Sequence, residues 1–95
     1  MRQFARVDAN QKEIMKALRS AGASVLHVHR VGRGEGSSDL IVGFRGRNYL
    51  IEVKTPTGAV REGQRDFASS WRGQYAIVRT VEEALAIILE RSSET

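Results

Sequence analysis

The stretch "SSDLIVGFRGRNYLIEVKTPTG", residues 37–58, decides how this chain is read. Two segments within it, "DLIVGFR" (39–45) and "NYLIEVK" (48–54), are rich in β-branched and aromatic residues, as strands are. Gly46 between them marks a tight turn. Pro56 stops the second strand, because it lacks the amide donor that a central strand needs. Against this apolar background stand three charged residues, Asp39, Glu52 and Lys54.

A two-residue loop of Gly46 and Arg47, with glycine at the first central position of a type II′ turn, gives one register. It pairs Phe44 with Tyr49, Ile41 with Glu52, and Asp39 with Lys54. Side chains alternate between faces with a period of two. Glu52 and Lys54 therefore share a face, and Asp39 joins them, opposite Lys54 and diagonal to Glu52. Ile51 and Val53 point the other way, into the expected core.

Two explanations fit such a cluster. Asp39 and Lys54 can form a cross-strand ion pair on an exposed hairpin, with Glu52 a solvated neighbour, worth about 0.2–1 kcal/mol. Alternatively, Asp39 and Glu52 can hold a divalent cation, since hard cations take oxygen ligands, often one or two carboxylates with water and substrate phosphate. A backbone carbonyl between Glu52 and Lys54 can add a ligand. Such a cation polarises a phosphodiester and activates water. Lys54, held protonated beside two carboxylates, would then stabilise charge building on the phosphate.

Outward from this hairpin the pattern is that of one α/β domain, residues 1–95. "ANQKEIMKALRS" (9–20) spaces Ile14, Met15 and Leu18 as a helix does. Asp8 with Gln11 reads as its capping box and Gly22 as its C′ residue. "SVLHVHR" (24–30) alternates as a strand, and "VGRGEGSS" (31–38) is a Gly/Ser loop without a P-loop lysine. Residues 60–72 put Val60, Gln64, Phe67, Ala68 and Trp71 on one helical face, which assigns Phe67 and Trp71 to the core. "YAIVR" (75–79) is a strand that follows a helical crossover and so should run parallel to a neighbour. Thr80 and Glu83 cap a last helix, "VEEALAIILERS", with Leu85, Ile88 and Leu89 inward. His27 and His29 lie two apart, but a transition-metal site needs a third ligand. They read instead as an inward His27 beside the charged cluster or as a pair packed on the sheet.

The 95 residues carry 15 Lys plus Arg against 11 Asp plus Glu, a net charge of +4, and most of the excess is arginine. Arginine forks match phosphate geometry, which favours a nucleic-acid partner over a merely basic surface. No apolar run approaches the ~18 residues of a membrane helix, so no membrane partner is expected. No secretory pattern is visible, and a cytoplasmic setting, bacterial or phage-in-host, is the expectation. Cysteine is absent, so there is no disulfide framework.

"SSDL", then "IEVKTPTG", then "REGQRDF" in a following helix resemble the PD-(D/E)XK nuclease superfamily, and within it the VRR-Nuc family. Members carry an acid at the start of one strand, Glu-x-Lys on the next, a Gly-containing turn, and a Gln early in the next helix. The resemblance spans residues 9–89. It implies a restriction-endonuclease-like core in the order α-β-β-β-α-β-α and a Mg²⁺-dependent, or Mn²⁺-dependent, DNA endonuclease. It also implies that Asp39 and Glu52 are metal ligands, with the Val53 carbonyl as a further donor. Lys54 would be the catalytic lysine, and Gln64 would lie near the site. A Gln on an inward helix face needs a polar partner in any case.

The pattern departs from the family at two places. Ser38 stands where the family usually has Pro, and a first-helix acid is missing from the inward face. Glu13 faces solvent, and Asp8 is better explained as a cap. Small stand-alone relatives resemble Holliday-junction resolvases, which implies branched DNA and a homodimer. Arg30, Arg33, Arg61 and Arg65 are the candidate phosphate contacts. The alternative is a non-catalytic DNA-binding or assembly module with the same fold.

Overall fold

The computed structural model describes residues 2–28, 37–57 and 62–90. Its elements follow the order α1 (Arg2–Ser20), β1 (Ser24–Val28), β2 (Ser37–Phe44), β3 (Arg47–Lys54), α2 (Glu62–Ser70), β4 (Gln74–Val78) and α3 (Val81–Leu89). The four strands form one mixed sheet in the order β1-β2-β3-β4. β2 pairs antiparallel with β1 on one side and β3 on the other, and β4 runs parallel to β3. A parallel neighbour needs a crossover, and α2 supplies it. The fold is thus a small α/β domain with a mixed sheet and flanking helices.

Both ends of the sequence pattern for α1 can be compared with the structure. At the C-terminal end, Gly22 has φ +102°. The Ala23 amide donates to the Leu18 carbonyl (3.0 Å) and the Gly22 amide to the Arg19 carbonyl (3.0 Å). These are the two bonds of a Schellman cap, closed by burial of Ala23 beside Leu18. At the N-terminal end the helix begins at Arg2, so the backbone of Asp8 is helical and Asp8 is not the cap. No Gly or Pro interrupts residues 2–20. An interior Asp costs a helix only a few tenths of a kcal/mol, too little to stop it there.

Leu40, Val42, Tyr49, Ile51, Val53 and Val78 are buried on one face of the sheet under Ile14 and Leu18 of α1 and Ala84 and Ile88 of α3. α1 passes over β1, β2 and β3, while α3 lies beside it over β4. Leu89, expected inward, is exposed, and Leu85 is only half-buried. Ala84 and Ile88 already fill that stripe of the short helix. Its N-cap is Thr80, whose Oγ1 accepts from the Glu83 amide at 3.1 Å. The Glu83 carboxylate reaches back one residue further than in a capping box, to the Arg79 amide at 2.6 Å. No helix among the described residues is long and apolar enough to cross a membrane.

The hairpin differs from the sequence expectation in register. Its two loop residues are Arg45 and Gly46, with φ +55° and +81°. Positive φ at both central positions is the type I′ turn, whose twist matches that of the strands. Gly46 therefore occupies the second central position, not the first, and the Arg45 guanidinium lies 4.9 Å from the Phe44 ring. Phe44 pairs with Arg47, Ile41 with Leu50, Asp39 with Glu52 and Ser37 with Lys54. The slip is two residues, so every side chain keeps its face.

Candidate functional site

The strand period places Asp39 on β2 and Glu52 and Lys54 on β3 together, on the face turned away from α1 and α3. Asp39 and Glu52 are directly opposed, and Lys54 is diagonal to Asp39 rather than across from it. Opposed Cβ atoms on antiparallel strands lie about 4.5–5.5 Å apart. All three residues are buried: Asp39 and Glu52 are 0% exposed and Lys54 is 2% exposed. The cluster is therefore not on an exposed face, and Glu52 is not a solvated neighbour. Removing charged groups from water costs several kcal/mol each unless other charges and hydrogen bonds compensate. None of the three is without a partner.

One compensating bond comes from a residue the sequence reading assigned only to an apolar strand. The Tyr75 hydroxyl donates to Glu52 Oε1 at 2.5 Å. Tyr75 pairs with Leu50 across the parallel β3–β4 ladder, which puts its side chain on the face of Glu52. Hydrogen bonds to a carboxylate are among the shorter and stronger ones. Behind Tyr75, the Phe67 ring of α2 meets its edge at a centroid distance of 5.1 Å and 68°. That contact brings α2 to this face. The signal was present in the sequence, since a tyrosine on a half-buried strand needs somewhere to put its hydroxyl.

The end of β3 is tied down from three sides. Asn10 of α1 donates through Nδ2 to the Lys54 carbonyl (2.8 Å) and the Arg79 carbonyl (2.9 Å). Arg79, just past β4, donates through Nη1 to the Thr55 carbonyl at 2.8 Å. Thr55 is buried, and its hydroxyl finds no hydrogen-bond partner among the described residues. Asn10, Thr55 and Arg79 went unnoticed in the sequence because each acts through a contact distant along the chain.

Several expected site residues fall elsewhere. Val53 is flanked by Ser38 of β2 and Val78 of β4, so its carbonyl lies in the plane of the sheet while its side chain enters the core. His27 is exposed and pairs with Leu40, on the face opposite Asp39, so it is neither inward nor beside the site. A strand at the sheet edge leaves it uncovered. Glu13 is exposed and lines an open groove of about 430 Å³ with Asn10, Pro56 and Thr57. Among the described residues, no three His, Cys, Asp or Glu side chains gather as a metal-binding group. Glu13 thus does not join Asp39 and Glu52. Arg65 is exposed on α2. Arg30, Arg33, Arg61 and His29 lie outside the described residues, as do the side chains of Asp8 and Gln64.

Trp71 also departs from expectation. It follows the last residue of α2 and is 45% exposed, not core, and Ala68 is exposed with it. The helix ends at Ser70, one residue before the i, i+4 stripe would have carried Trp71 inward.

Chemically, the site presents two opposed carboxylates, one ammonium and a phenol aimed at one carboxylate. That is an all-oxygen donor pair suited to a hard cation, with a positive charge beside it. No protein family, curated protein or solved structure matches the chain.

Proposed function

We propose that the chain is a metal-dependent DNA endonuclease of the PD-(D/E)XK type, similar to VRR-Nuc domains, with a restriction-endonuclease-like core. The observation that carries this reading is the burial of Asp39 and Glu52 directly opposite each other with Lys54 on the same face. Two like charges facing each other across a ladder are destabilising. A purely structural cluster has little reason to keep them, whereas a Mg²⁺ or Mn²⁺ site needs them.

The donor set fits a divalent cation: two carboxylates one ladder rung apart, with coordination positions left over for solvent and phosphate. Asp39 and Glu52 would hold it. Bound there, the cation would supply Lewis acidity toward a phosphodiester and its attacking water. Lys54 would donate hydrogen bonds to the non-bridging oxygens as negative charge grows on them. Tyr75 holds the Glu52 carboxylate in one orientation through its hydroxyl. Arg65, with Arg30, Arg33 and Arg61, would contact the DNA backbone. Gln64 on α2 would complete the rim.

Branched DNA is the proposed substrate, cut by a homodimer that offers one site to each of two strands. The test incubates purified protein with labelled four-way junctions in Mg²⁺, Mn²⁺ or chelator. Expected is cleavage that needs the metal and disappears in Asp39→Asn and Lys54→Ala. Cleavage undiminished by those substitutions, or no metal-dependent cleavage, would sink the enzyme reading, and salt-dependent binding with no cleavage would leave a DNA-binding module instead. Sedimentation of the free protein reads the dimer.

A further inference from the structure

The exposed tryptophan is the largest apolar side chain that neither the core nor the charged cluster uses. Its backbone is fixed by the last helical hydrogen bond, from the Trp71 amide to the Phe67 carbonyl at 2.9 Å. Its indole lies nearly parallel to the Phe67 ring, at a centroid distance of 5.4 Å and 22°. On another side it closes on Gly73, where an added Cβ would stand 3.0 Å from Nε1. A side chain at position 73 would make the ring give by a few tenths of an ångström, so Gly73 lets the indole sit close while Trp71 stays 45% exposed.

The hydroxyls of Ser69 and Ser70 turn back onto the helix, to the carbonyls of Arg65 (3.0 Å) and Phe67 (3.1 Å). Arg72, next in the chain, is exposed, as is Arg65 earlier on α2, with Asp66 the one acid between them in sequence. A continuous path of contacts then leads from Trp71 to Phe67, to the edge of Tyr75, and to the Glu52 carboxylate.

We propose that Trp71, backed by Phe67 and Gly73, is a stacking platform for an unpaired nucleobase of the DNA whose backbone occupies the Asp39–Glu52–Lys54 site. This deepens the nuclease reading and rests on it for the identity of the ligand. A rigid exposed ring with cationic neighbours is what single-strand recognition uses: a base face on the ring and phosphates on the arginines. In duplex DNA the base faces are hidden by stacking, so only an unpaired base meets the indole. The substrate class is therefore DNA with a single-stranded segment within a few nucleotides of the cut, such as a flap or an open branch point.

Trp71 is the only tryptophan in the chain, so its own emission reports the contact. The probes are an oligothymidylate of about 12 nucleotides, the same sugar-phosphate strand without bases, and a duplex of equal length. All are titrated in chelator at one fixed salt concentration. Expected is quenching by oligothymidylate and little by the other two. Trp71→Ala should weaken oligothymidylate binding by roughly 5- to 100-fold, the range of one stacked base. Trp71→Phe should stay within a few-fold of wild type, and Trp71→Leu should behave like alanine.

Equal quenching by the baseless strand would overturn the proposal. So would unchanged affinity in Trp71→Ala, or a Trp71→Ala effect confined to oligomeric state, which would assign the ring to a second copy of the chain. The binding arm needs no catalysis. Trp71-dependent binding without metal-dependent cleavage sinks the nuclease reading alone, and cleavage with Trp71-independent binding sinks the platform alone.

Discussion

Neutralising Asp39 tests directly why three ionisable side chains are buried together. Opposed positions, such as Asp39 and Glu52, hold their Cβ atoms ~5 Å apart; diagonal ones, such as Asp39 and Lys54, about 7–8 Å. At an effective dielectric of ~20, those separations give roughly 3 kcal/mol of repulsion between the carboxylates and roughly 2 kcal/mol of attraction to the ammonium. Asp39→Asn removes both terms and also the cost of burying one charge. The Coulomb terms alone, with no metal present, favour the variant by about 1 kcal/mol, or about 4–8 °C in a domain of this size, and the relieved burial cost adds to that. Lys54→Met does the opposite. It removes the ammonium of the trio and leaves two buried carboxylates facing each other, for a loss of about 3–5 kcal/mol. Thermal melts of the three proteins in chelator, repeated with Mg²⁺, read all of this. At a Mg²⁺ concentration near ten times its dissociation constant, wild type should gain about 1.4 kcal/mol and Asp39→Asn much less. A melt of Asp39→Asn in chelator as depressed as that of Lys54→Met would refute the reasoning. Asp39 would then be the structural ion-pair partner of Lys54.

Three further substitutions probe the supports of the site. Tyr75→Phe removes the donor to Glu52 and should cost about 1–3 kcal/mol in urea unfolding, with a parallel loss of metal affinity measured by calorimetry. Asn10→Ala leaves the Lys54 and Arg79 carbonyls without their shared donor; a loss of about 1–3 kcal/mol by the same assay is expected, with junction cleavage reduced as Lys54 loses its anchor. Thr55→Val replaces a buried hydroxyl that has no partner among the described residues, and should leave stability unchanged or raise it by up to about 1 kcal/mol.

Much of the fold was legible in the sequence because its signals are local. Gly22 and Thr80 end and begin helices by bonds that span a few residues, and both do so here. The parallel pairing of β4 followed from the length of the crossover. The misreadings have local causes too. Gly46 fits either central position of a two-residue turn, and the choice that keeps Arg45 at negative φ is the wrong one. The spacing of Phe67 and Trp71 suits a buried stripe, but periodicity does not say where a helix stops. What could not be read were the partners of Asn10, Tyr75 and Arg79. Their contacts reach across as many as 69 residues, from Asn10 to the Arg79 carbonyl.

The register error is instructive because it left the cluster intact. With a side-chain period of two, a slip of two residues exchanges partners without exchanging faces. It changed which charge stands opposite which. Asp39 was expected across from Lys54, an arrangement that neutralises itself and needs nothing further. It stands across from Glu52, an arrangement that does not. Within this trio Lys54 is one cation against two carboxylates. Around them the backbone is not left to adjust. Asn10 joins the ends of β3 and β4, Arg79 secures Thr55, and Glu83 holds the Arg79 amide. These ties fix the end of β3 against α1 and the end of β4, while Asp39 is held beside Glu52 by the β2–β3 ladder. On the nuclease reading proposed above a bound cation would offset the repulsion between the two, which makes the opposed carboxylates, more than the lysine, the feature from which function should be argued.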